Sequence, residues 1–83
     1  MTINYTESIR CPFNNPGDPY GPPLVRWVVR VRDFSTGRWW YLRQFRSGAP
    51  AWTSDPTYAK EYSERRSRFI QAELLGLPMP GMH

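Results

Sequence analysis

The sequence contains very few of the residues that build metal, disulfide and redox sites. Cys11 is the only cysteine and His83 the only histidine among the 83 residues. A lone cysteine excludes an internal disulfide, and one cysteine with one histidine cannot complete a structural zinc site. A catalytic pair of the two would need the last residue of a Pro- and Gly-rich tail to be held rigidly. We therefore expect no metal and no organic cofactor.

Long apolar runs and catalytic motifs are also lacking. No segment approaches the ~20 apolar residues that span a bilayer, and the first residues lack the apolar core of a signal peptide. We find no catalytic triad and no Gly-rich phosphate loop. No two carboxylates form a candidate acid/base pair, since Asp33 falls at a hairpin end and Asp55 at a helix cap. The sequence predicts a soluble cytoplasmic protein that is not an enzyme and takes no small-molecule substrate.

Aromatic residues and arginine are abundant instead. Aromatics make up 16% of the chain, and each buries about 150–250 Å², so a few large side chains must dominate so small a core. Ten arginines stand against one lysine, and the net charge is +4. Arginine pairs with carboxylates and phosphates and stacks on rings. The composition indicates an anionic partner, either nucleic acid or an acidic protein surface, unless it reflects only arginine codon use in a GC-rich genome.

The distribution of proline divides the chain into three regions. Five of the nine prolines lie in residues 1–23, among Asn, Asp and Gly residues that favour turns. We predict a Pro-rich N-terminal arm over 1–23, with a short edge strand near Asn4–Ile9, then a single α+β domain over 24–76. Residues 77–83, rich in Pro, Gly and Met, are predicted to be a flexible tail.

Residues 24–45 are typical of a β-hairpin. In Leu24–Phe34 apolar residues alternate largely with arginine, which is the period of two expected of a half-buried strand. Arg38–Phe45 is the second predicted strand. The hairpin is the predicted centre of the sheet.

The loop of this hairpin decides which side chains enter the core. We favour a three-residue loop over Ser35–Gly37, which ends in glycine and suits a type I turn with a glycine bulge. That register places Trp39 and Tyr41 in the core. A two-residue turn would shift the pairing by one and exchange them with Trp40 and Leu42 across the sheet.

Helix signals follow the hairpin. Ala49–Thr53 suits a third edge strand or an extended segment that ends at Trp52, and Asp55, followed by proline, is a strong helix start. Ser63 predicts a restart, with a second helix over Glu64–Leu75 that stops at Gly76. The prediction is an α+β fold: a small antiparallel sheet of two to three strands around the hairpin 24–45, with one or two C-terminal helices packed on one face. The predicted core is Trp27, Val29, Val31, Trp39, Tyr41, Phe45, Trp52, Ala59, Tyr62, Phe69, Ile70 and Leu74.

The predicted outer face of the hairpin carries the best candidate for a binding site. An arginine row can straddle phosphates, while an exposed indole stacks on a base or fills a pocket in a partner. The alternative is a solvated face whose arginine stems cover Trp40 and Leu42. A second basic patch lies on the predicted helix, unless Glu61 and Glu64 neutralise it locally. The candidate partner-binding residues are Arg26, Arg30, Arg32, Arg38, Trp40 and Arg43, and the secondary patch is Arg65, Arg66 and Arg68.

Two families share parts of this pattern. The order Trp40-Tyr41-Leu42, Trp52-Thr53-Ser54-Asp55 and Ala59-Lys60-Glu61-Tyr62-Ser63, within residues 25–75, resembles small bacteriophage-encoded inhibitors of host defence such as anti-CRISPR proteins. The Pro-rich arm is not part of the resemblance. The resemblance implies a non-enzymatic inhibitor that occupies a binding surface of a host protein or ribonucleoprotein complex in the host cytoplasm.

The second resemblance implies a different partner. Arg26-Trp27-Val28-Val29-Arg30-Val31-Arg32, then Arg38-Trp39-Trp40-Tyr41-Leu42, then Ala59 to Tyr62, is similar in order to the three strands and helix of plant ethylene-responsive and phage integrase arm-binding DNA-binding domains. In those domains arginine and tryptophan on the strands read the major groove. By this resemblance Arg26, Arg30, Arg32 and Trp40 would contact DNA. The longer, Pro-containing link between Phe45 and Asp55 departs from that pattern.

Overall fold

A computed structural model of the chain describes residues 2–10 and 26–80. Four strands form one antiparallel sheet in the order β1-β2-β3-β4. The elements are β1 Thr6–Arg10, β2 Trp27–Asp33, β3 Arg38–Arg46, β4 Ala49–Thr53, a 3₁₀ helix Pro56–Tyr58 and the helix α1 Glu64–Leu74. The α+β class is confirmed, with four strands where two to three were predicted and one α-helix packed on β1 and β2. The described residues include no helix that is long and apolar enough to cross a membrane.

The hairpin register differs from the one that we favoured. The loop has four residues, because Asp33 pairs with Arg38 and the Gly37 amide donates to the Asp33 carbonyl oxygen at 2.7 Å. Gly37 has a φ of 74°, a conformation that glycine adopts without strain. Val31 therefore lies opposite Trp40, so Trp40 and not Trp39 is on the core side. The side-chain facing is that of the alternative register, although its two-residue turn is not the loop observed.

A β-bulge returns the end of β3 to the core side. The pairing of β3 with β4 shifts between Leu42 and Gln44, and an extra residue at such a point reverses the alternation of side chains. Leu42 is fully buried, and Phe45, three positions later, packs against the same core. The predicted inward position of Phe45 is thus confirmed. It results from a bulge, which the alternation of residues in the sequence does not indicate.

The caps predicted after β4 are present, but the first helix is shorter than expected. The Asp55 carboxylate accepts from the Thr57 amide at 3.0 Å and caps one 3₁₀ turn. The chain then extends, and Trp27 and Tyr62 exchange two backbone hydrogen bonds of 2.8 and 2.7 Å. Ser63 caps α1 by accepting from the Arg66 amide at 3.2 Å. Pairing with β2 uses the backbone donors and acceptors that a continued helix would need.

Both ends of the described chain belong to the folded body. Ile3 and Met79 are buried in the core. The Ile3 amide donates to the Leu77 carbonyl at 2.7 Å, and the Gly76 amide donates to the Ile3 carbonyl at 2.9 Å. Residues 2–10 of the predicted arm and residues 77–80 of the predicted tail therefore pack as part of the same folded unit as the predicted domain. The hairpin start at residues 24 and 25, most of the Pro-rich arm, Cys11 and His83 lie outside the described residues.

The core confirms part of the predicted list. Val29, Val31, Ile70 and Leu74 are buried, and Phe45, Trp52 and Tyr62 pack against them, together with Leu42, Ile3 and Met79, which we did not predict. Trp39 and Tyr41 lie on the opposite face, Trp27 and Ala59 are half-buried, and Phe69 is 56% exposed. The buried stripe of α1 includes Ser67 in place of Phe69. Ser67 is accommodated because it shares a 2.6 Å hydrogen bond with Ser8 and donates to the Glu64 carbonyl at 2.7 Å.

The hairpin loop makes stability depend on pH. The Asp33 carboxylate accepts from the hydroxyl and the amide of Ser35 at 2.6 and 3.0 Å, and these bonds hold the pKa of Asp33 below its ordinary range. A lowered folded-state pKa stabilises the protein above the unfolded value of about 3.9, and that contribution disappears as pH falls through the folded value.

Thermal melts should therefore separate wild type from Asp33→Asn. We expect the wild type to melt higher by a constant margin above about pH 5, and the margin to shrink below about pH 4. A margin that is independent of pH down to the acid transition would contradict the role of the carboxylate charge.

Candidate functional site

The sheet has a face that α1 does not cover, which we call the open face, although Val28 on this face is fully buried. Ser8 contacts Ser67 of α1, so the side chains of β1 and β2 that share its direction point to the helix. Because successive side chains alternate, Glu7 and Arg30, directly opposite each other, point to the open face. Tyr41 is the cross-strand neighbour of Arg30, and Trp39 is that of Arg32. The register therefore collects arginine and aromatic side chains on one surface.

Arg30 is held in place from three sides. Its Nε donates to Glu7 Oε1 at 2.9 Å, Nη2 donates to the same oxygen, and Nη1 donates to the Tyr41 hydroxyl at 3.4 Å. The guanidinium carbon lies 3.9 Å from the centroid of the Trp39 ring. Burial alone would lower the pKa of Arg30, but the bonds to Tyr41 and Glu7 raise it above its ordinary value. Arg30 is thus a neutralised, fixed part of the surface.

Both oxygens of Glu7 are engaged. Oε1 accepts from Arg30, and Oε2 accepts from the Tyr5 hydroxyl at 3.0 Å. This hydrogen bond and the negative charge of Glu7 raise the pKa of Tyr5. Glu7 therefore connects β2 with the segment that precedes β1.

Three aromatic rings and a second arginine lie next to the Glu7–Arg30 pair. The Tyr5 ring lies 5.8 Å from that of Phe34 at 67° and 6.4 Å from that of Trp39 at 57°, distances typical of favourable aromatic pairs. The guanidinium carbon of Arg32 lies 5.0 Å from the Trp39 centroid and 5.8 Å from the Phe34 centroid. We call Tyr5, Arg30, Arg32, Phe34 and Trp39 the arginine–aromatic cluster.

The cluster is partly accessible, and among the described residues Arg32 has no charged partner. Tyr5 is 42% and Phe34 62% exposed. Within the described parts of the chain, the guanidinium of Arg32 makes cation–π contacts but neither an ion pair nor a hydrogen bond. A weakly hydrated guanidinium beside exposed rings can bind a carboxylate or a phosphate, and the rings can pack on an apolar or flat group.

The predicted partner-binding residues lie in different places in the structure. Arg30 and Arg32 belong to the cluster, and Arg26, just before β2, lies 3.9 Å from Glu61. Trp40 lies on the core side, contrary to prediction, with the guanidinium carbon of Arg38 5.4 Å from its ring centroid.

Arg43 is exposed at the bulge. The outward-facing indole predicted at Trp40 is instead that of its neighbour Trp39, which is half-buried. Trp39 was missed together with Tyr5, Glu7 and Phe34. The alternative register was the one signal in the sequence for Trp39.

The secondary basic patch lies on the exposed side of α1. Arg68 pairs with Glu64 one turn earlier at 2.9 Å, so this arginine is neutralised locally as the spacing suggested. The guanidinium carbon of Arg66 lies 5.7 Å from the Phe69 ring centroid. Ser63, Arg65, Arg66 and Phe69 line a depression of about 250 Å³. The patch is separate from the arginine–aromatic cluster, because α1 covers the other face of the sheet.

The described residues contain no group of three or more His, Cys, Asp or Glu side chains placed to hold a metal ion. Comparison with known proteins adds no relative: no family model, no curated protein and no solved structure matches this chain.

Proposed function

We propose that this chain is a non-enzymatic binding protein that occupies a surface of a protein partner through the arginine–aromatic cluster. The observation that carries the proposal is the contact of the Arg32 guanidinium with the rings of Trp39 and Phe34, at the loop end of the two central strands, where Phe34 is exposed. Tryptophan, tyrosine and arginine are the residues that most often dominate the energy of protein interfaces. A sheet holds them in place before binding, so little conformational entropy is lost on association.

The charges of the open face favour a protein partner over nucleic acid. Binding along a phosphate backbone requires several unneutralised cations. Of the three arginines predicted to form such a row, Arg30 pairs with Glu7 and Arg26 lies near Glu61, which leaves Arg32. Within residues 2–10 and 26–80, Arg32 is the member of this predicted row that has no ion pair, and one guanidinium beside apolar rings suits a carboxylate at a protein interface better than a phosphate track.

The biological role that we propose is inhibition of a host defence complex, of the CRISPR type, by a phage-encoded protein. The resemblance of residues 25–75 to such inhibitors is the support for this role. An inhibitor that only covers a surface needs a rigid contact face and no catalytic groups. Its partner is then a host protein or ribonucleoprotein complex.

Affinity capture from a bacterial lysate tests the binding proposal. Wild type should retain a stoichiometric protein partner, Arg32→Glu should lose it, and Arg65→Glu, the same charge change on α1, should keep it. If both variants retained equal amounts of the partner, the cluster would not be part of the interface. A lysate from a strain with an active CRISPR system, together with phage plating on that strain, tests the inhibitory role: expression of the wild-type chain should restore plaque formation.

The alternative is direct nucleic-acid binding, favoured by the ring of Trp39 as a stacking platform. A gel shift at ~150 mM salt, near physiological ionic strength, separates the two. We expect no shift of single- or double-stranded DNA with tens of micromolar wild type. A shift at submicromolar protein, lost in Arg32→Glu, would replace the protein partner with DNA.

A further inference from the structure

We propose that Glu7 determines the specificity of the open face, by neutralising Arg30 so that the surface selects a carboxylate on a protein and does not bind phosphate. The inference rests on the proposed function, because it concerns the same surface. It assigns a role to the acidic residue within a surface that was predicted from its arginines and a tryptophan.

The geometry of the pair supports this role. Glu7 and Arg30 are directly opposite on β1 and β2, and their side chains are 27% and 22% exposed. The carboxylate receives two donors from the guanidinium and one from the Tyr5 hydroxyl. Charge-assisted bonds in a half-buried position are stronger and less screened by salt than those of an exposed pair. Arg30 is therefore already paired with Glu7 in the free protein.

Without Glu7 the open face would resemble a nucleic-acid surface. Arg30 and Arg32 are two positions apart on one strand, which places their side chains about 7 Å apart on the same side of the sheet. Both guanidinium groups contact Trp39. Two adjacent cations beside an aromatic platform are what single- and double-stranded nucleic acids bind. The carboxylate of Glu7 removes one of these cations and also repels phosphate.

The residual chemistry indicates the kind of partner. Arg32 can form a two-pronged contact with one carboxylate, because a guanidinium matches the geometry of its two oxygens. Exposed Phe34 and Tyr5 lie beside it and can cover an apolar side chain. The partner surface that fits is an aspartate or glutamate flanked by an apolar residue.

Binding of a 20-base-pair DNA duplex, measured by fluorescence anisotropy from about 25 to 150 mM salt, tests the inference. Glu7→Gln removes the charge and keeps an acceptor for Arg30. We expect this variant to bind the duplex several-fold more tightly than wild type, with a slope of log affinity against log salt steeper by about one unit, since one more phosphate is neutralised. Glu7→Thr, which suits an edge strand, should behave in the same way if the amide version folds poorly.

Glu73→Gln is the matched control, because Glu73 is exposed on α1 and its loss adds the same charge. It should leave the slope unchanged, and the double variant Glu7→Gln/Arg30→Gln should return to the wild-type slope. Equal effects of Glu7→Gln and Glu73→Gln, or no effect of either, would overturn the specificity role and leave the binding proposal intact. Tight binding of the duplex by wild type at 150 mM salt would instead overturn the proposed protein partner.

Discussion

Replacing Leu42 with alanine should lower the free energy of unfolding by about 2–5 kcal/mol. Leu42 is fully buried among Val29, Val31, Ile70 and Leu74, so truncation leaves a cavity in the centre of the core. Small domains have about 5–15 kcal/mol of total stability, so the loss is a large fraction. Urea unfolding followed by circular dichroism measures it, because the midpoint falls while the slope with denaturant stays constant.

Phe69→Ala is the matched control for this experiment. Phe69 is 56% exposed on α1, and truncation of an exposed side chain changes stability by about 0.5 kcal/mol or less. The core that we predicted from the sequence, with Phe69 inside it and Leu42 outside it, requires the opposite order. A larger loss in Phe69→Ala than in Leu42→Ala would therefore contradict the observed facing of the sheet.

Trp39→Ala should weaken binding of the captured partner at least about 30-fold, which corresponds to about 2 kcal/mol. The ring supports both Arg30 and Arg32 and contacts Tyr5, so its removal disorders the whole arginine–aromatic cluster. Titration calorimetry with the purified partner measures the change. Most of it should appear as faster dissociation, because the contact is lost after encounter and not during approach.

Tyr58→Ala controls for the loss of an exposed aromatic. Tyr58 is 64% exposed and lies on the 3₁₀ helix, outside the cluster. It should bind like wild type, and the thermal unfolding of both variants shows that each is folded. Partner affinity that is unchanged in Trp39→Ala, or equally reduced in Tyr58→Ala, would place the interface elsewhere on the protein.

Local signals in the sequence predicted most elements and their ends. Asp55 and Ser63 cap their helices as expected, and Gly76, with a φ of 89°, follows α1. The hairpin strands and the third strand at Ala49–Thr53 were also placed correctly along the chain. These features depend on residues within one turn of each other, because a cap satisfies amide groups two or three positions away and a strand shows its period within a few residues.

The faces of the sheet were decided by interactions over longer distances. A shift of one residue in a hairpin moves every side chain to the other face, and both Trp39-Tyr41 and Trp40-Leu42 are apolar enough for the core. The choice follows from the four-residue loop that Asp33 and Gly37 close, and from burial of Leu42 in the core that also contains Ile70 and Leu74 of α1. Neither is visible as a pattern in the strands themselves.

Composition and local pattern are enough to define a small α+β unit rich in arginine and aromatic residues, with capped helix starts and a central hairpin. The folded sheet is needed to show that Glu7, 23 positions before Arg30, neutralises it, and that Tyr5 and Phe34 join Trp39 around Arg32. The physical reason is that composition and period report the local backbone, whereas pairing across strands depends on register. A binding surface on a sheet is made of such cross-strand neighbours, so its members become known only when the register is known.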